Sequence, residues 1–277
     1  MITELEQMAR SVPLVKKVDK AIAVLRHYEG DALKRDPANG YWLGDSYGKD
    51  SAACRRLCQM AGVRFCGRHN LTTVDAPELI RFGRKHHPDT VELRPDEPML
   101  VRLPKHARGM PTRRLAWCCE QYKHRSIKNG EVAVLGIRHA ESKARVKRWK
   151  QWTPFDGGKR WVVNPILFWS DDELWEFINS EKVPYCPLYD EGFTRLGCVG
   201  CPKSSNQRKE FARWPGFERA WRRACDRWWE NWYYKPKRDG TPRWFVKRGI
   251  TSADEYWAWW MNELPEPYDD GCQMGLW

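Results

Sequence analysis

Short apolar runs alternate with amphipathic stretches along the first two thirds of the chain. Runs typical of buried strands lie at residues 41–43, 63–66, 91–93 and 131–137. Apolar positions at helical spacing lie at about residues 13–28, 51–61, from 75 onward and at 171–180. Strands that alternate with helices indicate an α/β fold, in which a twisted parallel sheet is covered by helices on both faces.

Two of the predicted helices begin at residues that favour a helix N-terminus. Asp75 is a candidate N-cap, and Ser170 forms a capping box with Glu173. Asp171 and Asp172 follow directly in the first turn, where the helix dipole favours negative charge. We therefore assign these two aspartates no catalytic role.

Beyond Lys203 the sequence becomes helical, basic and rich in tryptophan. Of the 17 tryptophans, nine lie between residues 214 and 260. Trp214, Trp221 and Trp228 recur every seven residues and therefore share one helix face. This spacing predicts a tryptophan-rich helical core, and a basic aromatic surface that stacks nucleobases is the alternative.

The formal net charge of +12 is concentrated in two blocks. Residues 101–163 hold 16 Lys+Arg against 4 Asp+Glu, and residues 203–248 hold 14 against 5. Such blocks indicate a polyanionic partner, either a nucleotide or a nucleic acid, with a solvated basic surface as the alternative. Because we find no signal peptide and no long apolar run, we expect a cytoplasmic protein that makes no membrane contact.

The hexapeptide Ser46-Tyr47-Gly48-Lys49-Asp50-Ser51 lies between the first predicted strand and the helix after it. A helix N-terminus presents backbone N–H groups to an anion, and Gly48 lets the backbone approach a phosphate closely. The serines add hydroxyl donors and Lys49 adds a positive charge. Asp50 would orient a metal ion or hold the loop together. The segment is a candidate phosphate-binding loop, although an ordinary polar turn has the same composition.

Ten cysteines in a chain expected to be cytoplasmic favour thiols and metal ligands over disulfides. Two clusters stand out, Cys118-Cys119 and Cys198-x-x-Cys201, with Cys186 twelve residues before Cys198. Four thiolates without a nearby histidine favour an iron–sulfur cluster. Structural zinc and a redox dithiol remain open.

Together these motifs resemble the phosphoadenosine phosphosulfate (PAPS) reductase superfamily, of the PP-loop ATP pyrophosphatase type. The resemblance covers most of residues 38–205. It rests on the hexapeptide, the Cys-Cys block ending at Lys123, the pattern Gly136-x-Arg138-x-x-Glu141-Ser142-x-x-Arg145, and residues 189–201. It implies an adenine nucleotide alpha-hydrolase-like fold that binds ATP, or adenylyl sulfate (APS) or PAPS, with Mg²⁺.

The resemblance also implies roles for individual residues. Nucleotide or phosphate binding is implied for Ser46, Tyr47, Gly48, Lys49, Asp50, Ser51, Gly136, Arg138, Glu141, Ser142 and Arg145. Catalytic roles are implied for Lys49, Asp50 and Cys272. A [4Fe-4S] cluster would be held by four of the five residues Cys118, Cys119, Cys186, Cys198 and Cys201.

Two departures from the reductases affect the expected activity. Reductases of this superfamily have a degenerate PP-loop, whereas this chain keeps an intact one. They also carry a nucleophilic cysteine in an E-C-G-L-H motif, which the surroundings of Cys272 do not match. We therefore expect an enzyme that uses ATP to adenylate its target, a nucleic acid or nucleotide, and then transfers sulfur from a donor. This resembles the branch of DNA phosphorothioation sulfurtransferases and iron–sulfur tRNA thiolation enzymes.

Two alternatives to adenylating sulfur transfer remain. One is an APS or PAPS reductase that uses Cys272 and a thiol reductant. The other is a non-catalytic nucleic-acid-binding module. In each case we expect an N-terminal helical segment at 1–37, a nucleotide-binding domain with the iron–sulfur site at 38–205, and a helical basic subdomain at 206–277.

Overall fold

The computed structural model describes residues 12–124, 127–236 and 244–263. These residues form two compact units. The first takes the described part of residues 1–95 and 121–197, and the second takes that of 96–120 and 198–277. Each unit is therefore built from two separate stretches of the chain, a grouping that differs from the three consecutive parts expected above.

The first unit contains a six-stranded sheet. Its strands are β1 (Tyr41–Gly44), β2 (Phe65–Asn70), β3 (Val91–Leu93), β4 (Val132–Val134), β5 (Trp152–Phe155) and β6 (Arg160–Val163). The spatial order is β3-β2-β1-β4-β6-β5, and every pairing is parallel except the β5–β6 hairpin. The predicted α/β class is confirmed. Because β1 and β4 are neighbours, the loops that follow them lie side by side.

The helices and the sheet of the first unit share an apolar core. The helices are α1 (Leu14–Arg35), α2 (Lys49–Ala61), α3 (Pro77–His86), α6 (Lys143–Arg148) and α7 (Asp171–Ser180). Between α3 and α6 the chain forms α4 (Met99–Arg102) and α5 (Trp117–Tyr122). Leu25 of α1, Leu57 of α2 and Phe177 of α7 are buried with Leu43 and Val134 of the sheet. Because Leu43 of β1 and Leu57 of α2 share this core, the short loop between the end of β1 and the start of α2 is held at both ends.

Several boundaries differ from those predicted. Helix α1 continues to Arg35 rather than ending near residue 28, and β2 runs over 65–70 rather than 63–66. Asp75 is not an N-cap, because Ala76 occupies that position and Asp75 accepts the Thr72 amide at 2.7 Å. The hairpin of β5 and β6 was not predicted. Its edge position explains how β5 accommodates Pro154.

The second unit is helical. Its helices are α4 (Met99–Arg102), α8 (Gln207–Arg213), α9 (Pro215–Trp232), α10 (Trp244–Lys247) and α11 (Ala253–Trp260), while α5 (Trp117–Tyr122) begins in this unit. Trp214, Trp221 and Trp228 are all buried, which confirms the predicted tryptophan-rich core. Across the described residues we find no helix long and apolar enough to span a membrane.

Candidate functional site

The hexapeptide forms a tight loop between β1 and α2. Gly48 is the N-cap residue of α2 and Tyr47 has a positive φ of 60°. The Ser51 hydroxyl donates to the Gly48 carbonyl at 2.9 Å and lies 3.2 Å from the Ser46 hydroxyl. The loop therefore has the strand–turn–helix context that the phosphate-binding interpretation requires.

Three successive backbone amides of this loop donate to side-chain oxygens. The Tyr47 amide donates to Asp45 Oδ1 at 3.2 Å and the Gly48 amide to Ser46 Oγ at 3.4 Å. The Lys49 amide donates to the Tyr189 hydroxyl at 3.0 Å. A Cβ atom on Gly48 would lie 3.2 Å from the same hydroxyl, so a side chain there would crowd the loop.

The side chain of Tyr47 supports the loop from the protein interior. It is 1% exposed and stacks on His69 with ring centroids 4.0 Å apart. A Cβ on Gly83 of α3 would lie only 2.2 Å from the Tyr47 ring, so this position requires glycine. Because the ring of Tyr47 is buried, only the backbone of this residue is able to face the nucleotide that the sequence analysis predicts.

Two carboxylates and two cations meet beside the loop. Arg138, which follows β4, donates to Asp50 Oδ1 at 2.6 Å and to Asp171 Oδ1 at 2.8 Å. The Lys49 ammonium lies 3.2 Å from Asp50 Oδ2 and 3.6 Å from Asp171 Oδ1. Burial favours the neutral form of Arg138, but the charges of Asp50 and Asp171 outweigh it and raise the pKa of the guanidinium. We call these four residues the acid–base cluster.

The sequence reasoning missed the place of Asp171 in this cluster. It explained the residue by the helix dipole alone, whereas Asp171 also pairs with Arg138 and Lys49. Burial would raise the pKa of Asp171, but the charge of Arg138 lowers it. Tyr189 was also missed as a loop contact. Neither contact had a signal in the sequence, because Asp171 and Tyr189 lie 33 and 140 residues from the residues that they contact.

The segment after β4 contributes to the site unequally. A Cβ on Gly136 would lie 2.9 Å from the backbone C and O of Asp50, so glycine lets this segment approach the loop. Glu141 accepts the Arg138 amide at 3.2 Å and forms an ion pair with Arg145. Ser142 caps α6 by accepting the Arg145 amide at 3.3 Å. The structure thus brings Gly136 and Arg138 to the loop. Glu141, Ser142 and Arg145 instead contact one another and the Arg138 backbone.

Asp45, directly before the hexapeptide, is buried in a network of polar side chains. It accepts hydrogen bonds from Arg55 at 3.0 Å and Thr90 at 2.9 Å, and His87 Nδ1 lies 2.8 Å away. Burial would raise the pKa of Asp45, but the hydrogen bond and charge of His87, with the charge of Arg55, lower it to about 2. His87 follows the end of α3 and is buried in this network.

We expect this network to make the stability of the protein depend on pH in the acid range. Because the pKa of Asp45 is depressed, its stabilisation is complete above about pH 4 and is lost as the pH falls towards 2. The free energy of unfolding should fall by about 2 kcal/mol from this group over that interval. Urea unfolding at stepped pH tests this. The Asp45→Asn variant should lack that part of the pH dependence, and an unchanged profile would contradict the assignment.

The cysteines fall into the two units. All nine described cysteines are free thiols, and Cys272 lies outside the described residues. Cys118, Cys119, Cys198 and Cys201 belong to the second unit. The hydrogen bond with Cys119, then burial, then the charges of the other three thiols raise the pKa of Cys118. Four such thiols form a donor set that suits an iron–sulfur cluster.

The described thiols do not form a ready metal site. In the part of the chain that the structure describes, no three Cys, His, Asp or Glu side chains are grouped to hold a metal ion. Cys186 belongs to the first unit and is fully buried, with Leu188, Glu78, Glu191 and Asp190 around it. Burial raises the pKa of the Cys186 thiol.

The turn between Cys198 and Cys201 is tightly held. Gly200 has a φ of 77°, and a Cβ there would lie 2.4 Å from the Phe211 ring. Its amide donates to the buried carboxylate of Glu210 at 2.8 Å, and its carbonyl accepts from Gln207 at 3.0 Å. Trp221 donates its indole N–H to the Val199 carbonyl at 3.0 Å. Helices α8 and α9 therefore fix this turn.

Comparison with known proteins gives the same family over most of the first unit and the cysteine turn. Residues 41–204 match the phosphoadenosine phosphosulfate reductase domain. The adenosine 5'-phosphosulfate reductase of Allochromatium vinosum is 30% identical over 119 residues, which cover 41% of this chain and 41% of that protein. An uncharacterized protein of Methanocaldococcus jannaschii is 34% identical over 158 residues, which cover 50% of this chain and 32% of that protein.

The chain thus spans less than half the length of both relatives. Among solved structures, the phosphoadenylyl-sulfate reductase of Candida auris in its phosphate complex aligns over 71% of this chain and 93% of that one. Its TM-score is 0.48 and its sequence identity is 15%.

Proposed function

Because this chain belongs to the phosphoadenosine phosphosulfate reductase domain family, we propose that it is an enzyme that binds an adenine nucleotide at the hexapeptide loop. We further propose that it cleaves ATP to AMP and pyrophosphate in order to transfer sulfur. The observation that carries this proposal is the intact loop joined to the acid–base cluster of Lys49, Asp50, Arg138 and Asp171.

The proposed reaction has two balanced steps. An acceptor oxygen attacks the α-phosphorus of ATP, so that a P–O bond forms and pyrophosphate leaves. A sulfide donor then attacks the activated carbon or phosphorus, so that a bond to sulfur forms and AMP leaves with the acceptor oxygen. The loop amides and serine hydroxyls would exchange their present acceptors within the protein for phosphate oxygens. Lys49 and Arg138 would offset the charge of the phosphates.

The acid–base cluster suits phosphates accompanied by Mg²⁺. Arg138 is 1% exposed and is held by Asp50 and Asp171, so its guanidinium is oriented before a ligand binds. Mg²⁺ on nucleotide phosphates uses only one or two carboxylates, and Asp50 and Asp171 supply two that retain access to solvent. We assign Asp50 and Lys49 the predicted catalytic roles, as the cation ligand and the phosphate-binding charge.

A [4Fe-4S] cluster would be held by Cys118, Cys119, Cys198 and Cys201, which all belong to the second unit. When bound, such a cluster would supply a site that carries or activates sulfur. The positive φ of Gly200 supports this assignment, because a tight Cys198–Cys201 turn would allow both thiols to face one ligand.

The experiment that tests the proposal uses protein purified without oxygen. We expect about four irons per chain, and AMP and pyrophosphate in equal amounts when ATP, Mg²⁺ and an acceptor nucleic acid are present. The Asp50→Asn variant should lose AMP formation while keeping its iron. Stoichiometric zinc in place of iron would overturn the cluster, and iron without ATP cleavage would overturn the adenylation step.

A second candidate is reduction of APS or PAPS to sulfite, which the adenosine 5'-phosphosulfate reductases among the relatives favour. Here the thiolate of Cys272 would attack sulfur, release the nucleotide and form a thiosulfonate, from which a thiol reductant frees sulfite. Sulfite production that disappears in the Cys272→Ser variant would establish this activity. Retained ATP cleavage in the same variant would favour sulfur transfer.

A further inference from the structure

Three arginines form a line along the outer side of helix α9. Arg219, Arg223 and Arg227 are four residues apart and all three are exposed. A rise of 1.5 Å per residue places successive members roughly 6 Å apart along the helix axis. We call these three residues the arginine stripe.

The opposite side of α9 anchors the helix. Trp221, Cys225 and Trp228 are buried there. The indole N–H groups of Trp221 and Trp228 donate to the carbonyls of Val199 at 3.0 Å and His106 at 2.8 Å. The stripe is therefore presented by a helix with a fixed rotation about its own axis.

Among the described residues, the arginines of the stripe have no acidic partner. Like charges four residues apart destabilise a helix by about 0.2–0.5 kcal/mol per pair, and the stripe contains two such pairs. Within the described part of the chain, none of its members forms an ion pair or a side-chain hydrogen bond. Arg222, on the same helix, is neutralised by Asp226 at 3.0 Å and by Asp254. Among the described residues, acidic side chains thus neutralise Arg222 beside the stripe but none of the three arginines in it.

A groove of about 420 Å³ lies beside the stripe. It is lined by Glu218, Arg219, Arg222, Arg223 and Trp257. The guanidinium of Arg222 lies 5.6 Å from the centroid of the Trp257 ring, so the groove has an aromatic floor with a neutralised charge above it. The groove offers room for a sugar or base next to Arg219 and Arg223, whose guanidinium groups form no ion pair with the described residues.

We propose that the arginine stripe binds the phosphate backbone of a nucleic acid, which is the sulfur acceptor of the reaction; the acceptor role rests on the proposed function. A regular row of guanidinium forks matches a chain of phosphates, because each fork donates two hydrogen bonds to one phosphate. A small nucleotide could engage only one or two of the three residues.

The test is fluorescence anisotropy with labelled single-stranded DNA, duplex DNA and RNA of one sequence, over a series of salt concentrations. The variant is Arg219→Gln/Arg223→Gln/Arg227→Gln. The control is Lys16→Gln/Lys34→Gln/Lys85→Gln, which removes three exposed charges from helices of the first unit. We expect roughly tenfold to hundredfold weaker binding for the stripe variant at low salt, and near wild-type binding for the control.

The salt dependence gives the sharper readout. For the stripe variant, the slope of log K against log salt should become shallower by roughly 2 for a single strand or roughly 3 for a duplex. The strand type that the wild type binds most tightly, and for which the slope changes in the stripe variant, is the candidate acceptor. Equal slopes in both variants, or no binding of any strand by the wild type, would overturn the proposal.

ATP cleavage distinguishes this proposal from the proposed function. The basal rate without an acceptor should be unchanged in the stripe variant, because the stripe belongs to a different unit from the loop. The single variant Arg223→Gln should show about one third of the slope change of the triple variant, which excludes misfolding of the triple variant as the cause. If the wild type binds nucleic acid but never cleaves ATP, the proposed function is wrong while the nucleic-acid-binding role of the stripe stands.

Discussion

Replacement of Arg138 by methionine should reduce AMP formation by roughly a hundredfold or more. Loss of one positioned donor at a phosphate or oxyanion typically has that effect. The free energy of unfolding should also fall by about 3 kcal/mol, because Asp50 and Asp171 would lose the buried cation that they share. We place the value at the lower end of the usual range since Asp171 is 63% exposed. Urea unfolding and an assay for released pyrophosphate would measure the two effects.

Arg145→Met is the matched control for this experiment. Arg145 forms a half-exposed ion pair with Glu141 one helical turn away, and such pairs contribute less than about 1 kcal/mol. Its stability should therefore stay close to that of the wild type. If both variants lose the same stability, the acid–base cluster is not the cause. If Arg138→Met retains AMP formation, Arg138 does not act in the nucleotide site.

Gly200→Ala should have the largest effect on the second unit. The residue has a φ of 77°, and the added Cβ would overlap Phe211 at 2.4 Å. Strain at positive φ costs about 1–3 kcal/mol, and overpacking costs about 1–3 kcal/mol more. We expect a clear fall in melting temperature and a loss of iron, because the turn that carries Cys198 and Cys201 would be displaced.

Gly249→Ala separates the two causes. Gly249 has a similar φ of 70° but nothing within 4 Å of an added Cβ, so this variant introduces the backbone strain alone. It should be less destabilised than Gly200→Ala and should keep its iron. Equal destabilisation would mean that contact with Phe211 contributes nothing. Full iron content in Gly200→Ala would argue against a cluster on this turn.

The parts of the fold that were predictable rest on local patterns. Tyr41–Leu43, the hexapeptide and the Ser170 capping box each carry their signal within a few residues, and the structure confirms these elements. The family resemblance inferred from the same motifs is confirmed as well. Asp75 shows the limit of local reasoning, since its carboxylate closes the preceding loop instead of capping the helix.

The remaining features depend on contacts between distant residues. Asp171 is 33 residues from Arg138, and Tyr189 is 140 residues from the Lys49 amide that it accepts. No periodicity or spacing relates such positions. His87 likewise has the sequence context of a helix end, and only tertiary packing places it against Asp45.

The second unit has a consequence for how the chain folds as it is synthesised. Its early stretch, 96–120, meets its late stretch through the Trp228 indole at the His106 carbonyl and the Trp232 indole at the Pro104 carbonyl. At ribosomal rates, roughly 4–16 s separate Cys119 from Cys198. During that interval the early stretch leaves the ribosome without helix α9, which carries Trp228 and Trp232. The hydrogen bonds at His106 and Pro104 therefore form only after α9 has been synthesised, which makes completion of the second unit a late step in folding.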